Sequence, residues 1–572
     1  MNGRFFRVSG AILLAISTVA APVAPVYAQQ GESAPPAQPQ PAPQPSTPPA
    51  RQIQLSNQNF TYGKSWFPHV LSPYTPTSVP EPVLTNAATI EQMVKDGKLT
   101  ISLQDAVDLA LQNNLAIVVE RYVPWMAEAS ILHTLSGGLP FPGPLQALGT
   151  IPVPTFDPIV TSNFSLDQRL VPANNGLTSG TGTSAGTFAQ LNTHSAIADF
   201  GYVQGFHTGT SFAATFNNLR GSSSSANNFF SPFVQTNFIF QASQQLLNGF
   251  GTVPNEHYIL IAKTNKNIAD QQLAQQVITS ITAVEIAYWE LVFARGNVEV
   301  AQQQIALANK TYSDNKKQVD VGTLAPLEIV QAEAQVATAQ ESLILAQTTV
   351  LQDQLALMNL IAKDPNAPVL RNVEIVPTDD ASVAPPEVEK IPLEDLVKEA
   401  ITRRPDVLQS RLLIEGDGIN IKATKNALLP ILTLSGEYAT EGLAGNSKPG
   451  TCTPQPCTPP PQIFSGLPAA LNQEFTGTYP EYNAALSLTL PIRNRSAQAN
   501  NVEAMLERRS DEANYQQIVN NAATDVHNAQ ITLEQARITL AAAVKTRDLD
   551  QQTLDAEQKK FQVGASTLFN IV

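Results

Sequence analysis

From Val277 to Tyr312 the chain reads VITSITA VEIAYWE LVFARGN VEVAQQQ IALANKT Y, and each block of seven opens on an apolar residue. Those residues are Val277, Val284, Leu291, Val298, Ile305 and Tyr312. A sustained seven-residue repeat marks helices packed along one seam in coiled-coil fashion. The other faces carry mostly Ala and polar amides, which lets further neighbours approach closely. From Asn255 to Gln318 there is no Pro and a single Gly, Gly296. As one helix this stretch is roughly 95 Å long, far beyond a globular-domain helix.

The same period recurs on either side. After Gly322 it runs through Ile329, Val336, Leu343, Val350 and Leu357. A third series holds Val526, Leu533, Leu540, Leu554 and Phe561, with Arg547 interrupting. Shorter segments also echo each other. Ile101-Ser102-Leu103-Gln104-Asp105-Ala106-Val107 and Ile391-Pro392-Leu393-Glu394-Asp395-Leu396-Val397 both set Ser or Pro before an acidic first turn, which suits a helix start. Val321-Gly322-Thr323-Leu324 with Ile329-Val330 matches Val563-Gly564-Ala565-Ser566 with Ile571-Val572. Two echoes in one order predict an internal duplication. Gly322 and Gly564 supply the left-handed backbone that reverses a helix, so each tip is expected to join antiparallel neighbours.

Seven-residue periodicity alone would suit a soluble periplasmic rod or adaptor. The material between the helices argues against it. In Phe233–Ala242 the residues Val234, Phe238, Phe240 and Ala242 fall on one face, with Gln235, Asn237 and Gln241 mainly on the other. Phe212, Ala214 and Phe216 alternate likewise, as do Leu432, Leu434 and Tyr438, and then Leu486, Leu488 and Leu490. Such two-faced segments are what transmembrane barrel strands need, and Phe200, Tyr202, Phe206, Phe229, Phe230 and Tyr482 suit interface girdles. One pair per half gives about four strands per chain, with room in 156–247 for extra strands in loops. Four cannot close a barrel, which needs about eight. A membrane-spanning reading therefore requires an oligomer.

Composition narrows the class. Arg4, Arg7, the apolar run Ala11–Ala21 and Val26-Tyr27-Ala28 read as a signal peptide ending at residue 28. Beyond it no run of about 18 apolar residues is found, so no transmembrane helix is expected. A net charge of −14 speaks against a nucleic-acid partner. Cys452 and Cys457 share a Pro-rich run and are expected to form a local disulfide, with metal binding the weaker alternative. The histidines His69, His133, His194, His207, His257 and His527 lack metal-ligand spacing. Gly180–Gly186 has no Lys to hold a phosphate. No catalytic residue, cofactor or metal is expected.

The order of these features resembles the TolC-like outer-membrane efflux proteins from about residue 98 onward. The residues that carry the resemblance are Leu103–Asn114, Arg403-Arg404-Pro405-Asp406-Val407, Ala427-Leu428-Leu429-Pro430 before a strand, Tyr438, and the tips at Val321 and Val563. The resemblance implies a mainly α mixed fold: a coiled-coil-like helical tunnel plus a β-barrel completed by trimerisation, twelve strands in all. It implies a passive export conduit in the outer membrane, in contact with its lipid. The tips Val321, Gly322, Thr323, Leu324 and Val563, Gly564, Ala565, Ser566 would dock on a periplasmic adaptor and an inner-membrane pump. Many members carry an Asp at the aperture six residues after the second tip glycine. Here that position is Asn570, and the first-half equivalent is Glu328. The expected organisation is a signal peptide (1–28), a Pro/Gln-rich disordered lead-in (29–85), a first repeat (86–362), a linker (363–390) and a second repeat (391–572). The first repeat holds strands at about 156–247 and a helical hairpin at 252–361. The second holds a strand pair at about 431–490 and a long helix at 496–561, and a final helix is expected beyond Val572.

Overall fold

The structure is a computed structural model that describes residues 59–141, 143, 155–173, 189–379, 391–447, 466–562 and 565. Helix α1 (Ala88–Met93) leads into a hairpin of β1 (Val94–Lys95) and β2 (Lys98–Ile101). Its turn, Asp96-Gly97, has φ of 49° and 72°, the two positive values of a type I′ turn. Helices α2 (Leu103–Asn113), α3 (Leu115–Glu120) and α4 (Tyr122–Leu135) come next. Four strands follow: β3 (Ile159–Ala173), β4 (Ala189–Gly205), β5 (Thr210–Ser223) and β6 (Phe230–Gln245). The long helices α5 (Thr252–Asp320) and α6 (Leu327–Ile361) precede β7 (Glu374–Pro377). The second half comprises α7 (Leu393–Arg403), α8 (Pro405–Ala427), β8 (Ile431–Ser447), α9 (Leu467–Phe475), β9 (Pro480–Thr489) and α10 (Arg495–Gln562).

A small mixed sheet anchors the first half. Strand β2 pairs antiparallel with β1 and parallel with β7. The segment expected to be a plain linker thus supplies a strand to this core. Leu99, Ile101 and Ile375 of the sheet meet Leu109 of α2, Leu291 of α5 and Leu357 of α6 in one buried cluster. Each such side chain contributes roughly 1.5–3 kcal/mol when withdrawn from water. The start of α2 is fixed by a capping box between Ser102 and Asp105. Tyr288 donates its hydroxyl to the Asp379 carboxylate at 2.7 Å, which also accepts the Leu103 amide at 2.7 Å. Arg295 bridges α5 to Glu374 and to the Ile375 carbonyl.

The lead-in differs from its expected disorder at its far end. The Phe60 amide donates to Glu128 of α4 at 3.0 Å, and the Phe60 ring meets Trp125 edge to face at 5.9 Å. The Phe60 ring supplies contact area there that a polyproline run lacks.

Helix α5, 69 residues long, packs part of its length against the 35 residues of α6 along a seam of small side chains. Its buried positions Ser280, Ala287, Ala294, Ala301, Ala308 and Asn315 recur every seven residues. Ala332 and Ala339 of α6 are buried likewise. Val284 and Leu291 are fully buried, but Val298, Ile305 and Tyr312 are only half-buried. Small residues let the helix axes come together, and the larger side chains then flank the seam.

The remaining strands form one antiparallel sheet in the order β3-β4-β5-β6-β8-β9. It has six strands where about four were expected. Strands β3 and β4 are full members, paired residue for residue from Ile159↔Val203 to Ala173↔Ala189. Polar residues such as Ser162 and Gln168 dilute the alternation of β3, which hid it in the sequence.

Candidate functional site

Because directly paired residues share a face, the register sorts the sheet into two surfaces. One carries Val160, Phe164, Leu166 and Leu170 of β3 and continues across the other strands. Its aromatic rings run from strand to strand: Phe164 to Phe200 at 5.5 Å, Tyr202 to Phe212 at 6.2 Å, Phe212 to Phe240 at 5.1 Å, and Tyr438 to Tyr482 at 5.2 Å. Asn218 and Arg220 interrupt this apolar face toward the loop end. The opposite face carries Asn163, Asp167 and Arg169 of β3, Asp199 of β4, Gln235 and Asn237 of β6, and Glu437, Glu441 and Glu481. Ile197, Leu219 and Ile239 lie among them.

The strands connect directly to the long helices. At this junction the Leu246 amide donates to the Leu432 carbonyl at 2.7 Å, and the Asn248 amide to the Pro430 carbonyl at 3.2 Å. Asn426 accepts the Gly249 amide at 2.7 Å, and Asn494 donates to the Leu428 carbonyl at 3.0 Å. The run Ala427-Leu428-Leu429-Pro430 is therefore where two helix-to-strand crossings are tied together. Gly209 faces Gly249 so closely that a Cβ there would lie 2.2 Å from the Gly249 oxygen. With φ of 80°, Gly209 admits no side chain.

Other resemblance-bearing residues also turn out to be structural. Arg404 holds Asp406 through two hydrogen bonds of 3.1 and 2.8 Å, and reaches Asp525 of α10 at 2.9 Å. Burial opposes ionisation of Asp406, yet the hydrogen bonds and charge of Arg404 keep its carboxyl below the usual range. Further along α8 lies a group that motif reading missed. Asp417 of α8 is 1% exposed, and no donor among the described residues reaches its carboxyl oxygens. Burial, then the charges of Asp511 and Glu507 on α10, push it up to about 7. Its only legible signal is position: Ser410, Asp417 and Thr424 are spaced by seven on the buried side of α8.

The first tip is a tight reversal. Gly322 has φ of 83°, the Thr323 amide donates to the Gln318 carbonyl at 2.9 Å, and the Thr323 hydroxyl reaches the same oxygen at 2.9 Å. Asn315 donates across the hairpin to the Glu328 carbonyl at 3.3 Å. Leu324 is half-buried, whereas Val321 is 78% and Leu327 64% exposed. The exposed apolar rim of this tip is thus formed by Val321 and Leu327, with Leu324 half-buried between them. At the second tip the Ala565 amide donates to the Lys560 carbonyl at 2.8 Å, five residues back like its counterpart. Val563, Gly564, Ser566 and Asn570, like Cys452 and Cys457, lie outside the described residues.

Among the described residues no group of His, Cys, Asp and Glu is arranged to hold a metal. His257 is fully buried beside the Pro254 carbonyl at 2.7 Å, and burial lowers its pKa. Among the described residues one helix, α5, is long and apolar enough by length and composition to cross a membrane, with an 18-residue window of mean hydropathy 1.5, where none was expected. Part of its apolar content, Val284, Tyr288 and Leu291, is spent on the core cluster.

A long helical hairpin and a two-faced antiparallel sheet thus make up most of the described chain. A family model described as outer membrane efflux protein matches residues 211–363 and 396–571. The chain belongs to that family, and its place is the outer membrane. It is 23% identical over 195 residues to the outer membrane efflux protein BepC of Brucella suis biovar 1 (strain 1330), a match spanning 34% of this chain and 40% of BepC. Its fold is similar to the outer-membrane channel OprN, with a TM-score of 0.54 and 16% identity over 82% of each chain. The Campylobacter jejuni CmeC outer membrane channel gives 0.52 and 16% over 87% of each.

Proposed function

We propose that this protein is the passive outer-membrane conduit of a tripartite export system, carrying small molecules or secreted cargo from periplasm or inner-membrane pump to the exterior. The observation that carries this reading is the sheet with one apolar, aromatic face and one polar face, continued directly into helices of coiled-coil length. In a bilayer only a closed barrel satisfies every backbone group of such a sheet. The apolar face then meets lipid and the polar face lines an aqueous lumen. Three copies close the barrel, and their helices continue the lumen as a periplasmic tunnel.

The tips are the docking points for a periplasmic adaptor, and the apolar rim Val321 and Leu327 is the surface it covers. Glu328 and Asn570 are the candidates for lining the aperture. No chemical step is assigned to the chain, since the pump supplies the energy. We also infer an internal duplication. Asn114 and Arg404 each end one helix and begin the next, with near-identical backbone angles (−62°, 119° and −65°, 128°). They stand at equal distances after the starts of α2 and α7.

The test is fractionation followed by planar-bilayer recording of the purified full chain. Retention in outer membranes through a high-salt wash, a trimeric mass in detergent, and discrete conductance steps are expected. Release by salt would support a periplasmic rod and end the channel reading.

A further inference from the structure

We propose that hairpin β3–β4 forms the subunit boundary of the barrel, with β3 pairing edge to edge with β9 of a second copy of this chain. A three-copy barrel then holds eighteen strands, six from each. This rests on the channel reading and adds to it the place where one copy meets the next.

Among the described residues, the two edges of the six-stranded sheet are β3 and β9. Strand β3 is exposed from Ile159 to Pro172, and β9 along all ten residues. Long unpaired edges carrying apolar side chains pair with another chain unless something blunts them. Six strands also fall short of the roughly eight that a barrel needs.

Strand direction selects the occupant. All neighbours in the sheet are antiparallel, so with an even count β3 and β9 run in opposite directions. The β9 of one copy then meets the β3 of the next antiparallel, and the alternation passes around a head-to-tail ring without a fault. The faces agree as well. Even-numbered residues of both strands, such as Phe164, Leu166, Leu486 and Leu488, lie on the apolar face. Pairing even with even carries both faces across the boundary, whereas a one-residue slip would turn them over.

The hairpin lies outside the span that the family model matches, which begins at residue 211 within β5. With only the matched strands, β5 would be the edge. Here β4 already occupies that edge, from Thr193↔Ser223 to Gly205↔Ser211. Because diameter grows about linearly with strand number, the lumen within the bilayer becomes about 1.5 times as wide as that of a twelve-stranded ring.

Cysteine pairs in the full chain test this, in a background carrying Cys452→Ser and Cys457→Ser. Ser162→Cys is combined in turn with Ala484→Cys, Leu486→Cys and Leu488→Cys. Ala214→Cys on β5 is combined with the same three as the comparator. After mild oxidation of outer membranes, at least one Ser162 combination should give disulfide-linked dimers and trimers, and the Ala214 combinations none. Cross-linking from Ala214 alone would overturn the proposal, since the ring would close at β5 with the hairpin outside it. Failure of both sets in protein that is trimeric by native mass analysis would also overturn it. A monomeric protein would instead remove the channel reading, and the boundary with it.

Discussion

Helices α5 and α10 are nearly equal in length, 69 and 68 residues, yet their surroundings could hardly differ more. Buried residues occur along α5 from Pro254 to Asn315, because it packs against α2, α4, α6 and α8. On α10 only Ala504 and Ala522 are buried among the described residues. Its packing partners are α7 and α8, and beyond Asp525 its seam residues Leu533 and Leu540 stand 50% and 48% exposed. Both sequences carry the seven-residue repeat. Period therefore marks a helix that packs along one face, but does not name the segment it packs against.

Charge placed on each seam should separate the two helices most sharply. Leu291→Asp buries an unpaired carboxylate in the core and should cost roughly 4 kcal/mol or more. The variant should be nearly absent from outer membranes by immunoblot. Leu540→Asp, at a position that is 48% exposed, should cost far less and leave circular dichroism and membrane levels close to those of the parent. Equal behaviour of the two variants would break the comparison.

The contact between α8 and α10 should respond to pH. Burial, then the charges of Asp511 and Glu507, push the Asp417 carboxyl up to about 7, whereas an unfolded chain ionises it near pH 4. The folded form thus keeps a proton that the unfolded form has lost. The resulting stability is fully present below about pH 4 and falls as pH rises to about 7. Melting temperature should decline across that window, and Asp417→Asn should flatten the decline. An unchanged slope in the variant would remove Asp417 as its cause.

A smaller effect is expected on α5. Tyr288→Phe removes the hydroxyl that joins Ile101 and Asp379 and should cost about 1 kcal/mol in chemical denaturation. No loss would mean that water replaces the hydroxyl. The smallest stability effect belongs to the tip. Val321→Asp should change stability by less than roughly 0.5 kcal/mol, yet solute export from cells should fail because a charge opposes docking. Normal export at normal membrane levels would leave the tip as a turn only.

The long helices, the tip at Gly322 and the two-faced strands β5, β6, β8 and β9 were legible in the sequence, because period and glycine placement are local properties of a chain. The residues of the resemblance were legible too, but their roles were not. Arg404 clamps Asp525, and the run at Ala427 ties two crossings together, both through contacts between residues far apart in sequence. Leu324, expected to dock with the rest of its tip, is half-buried in the structure.

What the sequence determined by itself was where the long helices and the strands β5, β6, β8 and β9 lie and which side of each is apolar, since 3.6-, 7- and 2-residue periods follow from backbone geometry alone. The tertiary structure decided the rest. It placed β3 and β4 in the sheet, made Ala287, Ala294 and Ala301 the close seam in place of the larger residues beside them, and left Asp417 buried against like charge. Each depends on which surfaces meet, and that is a property of packing between distant segments that no single segment encodes.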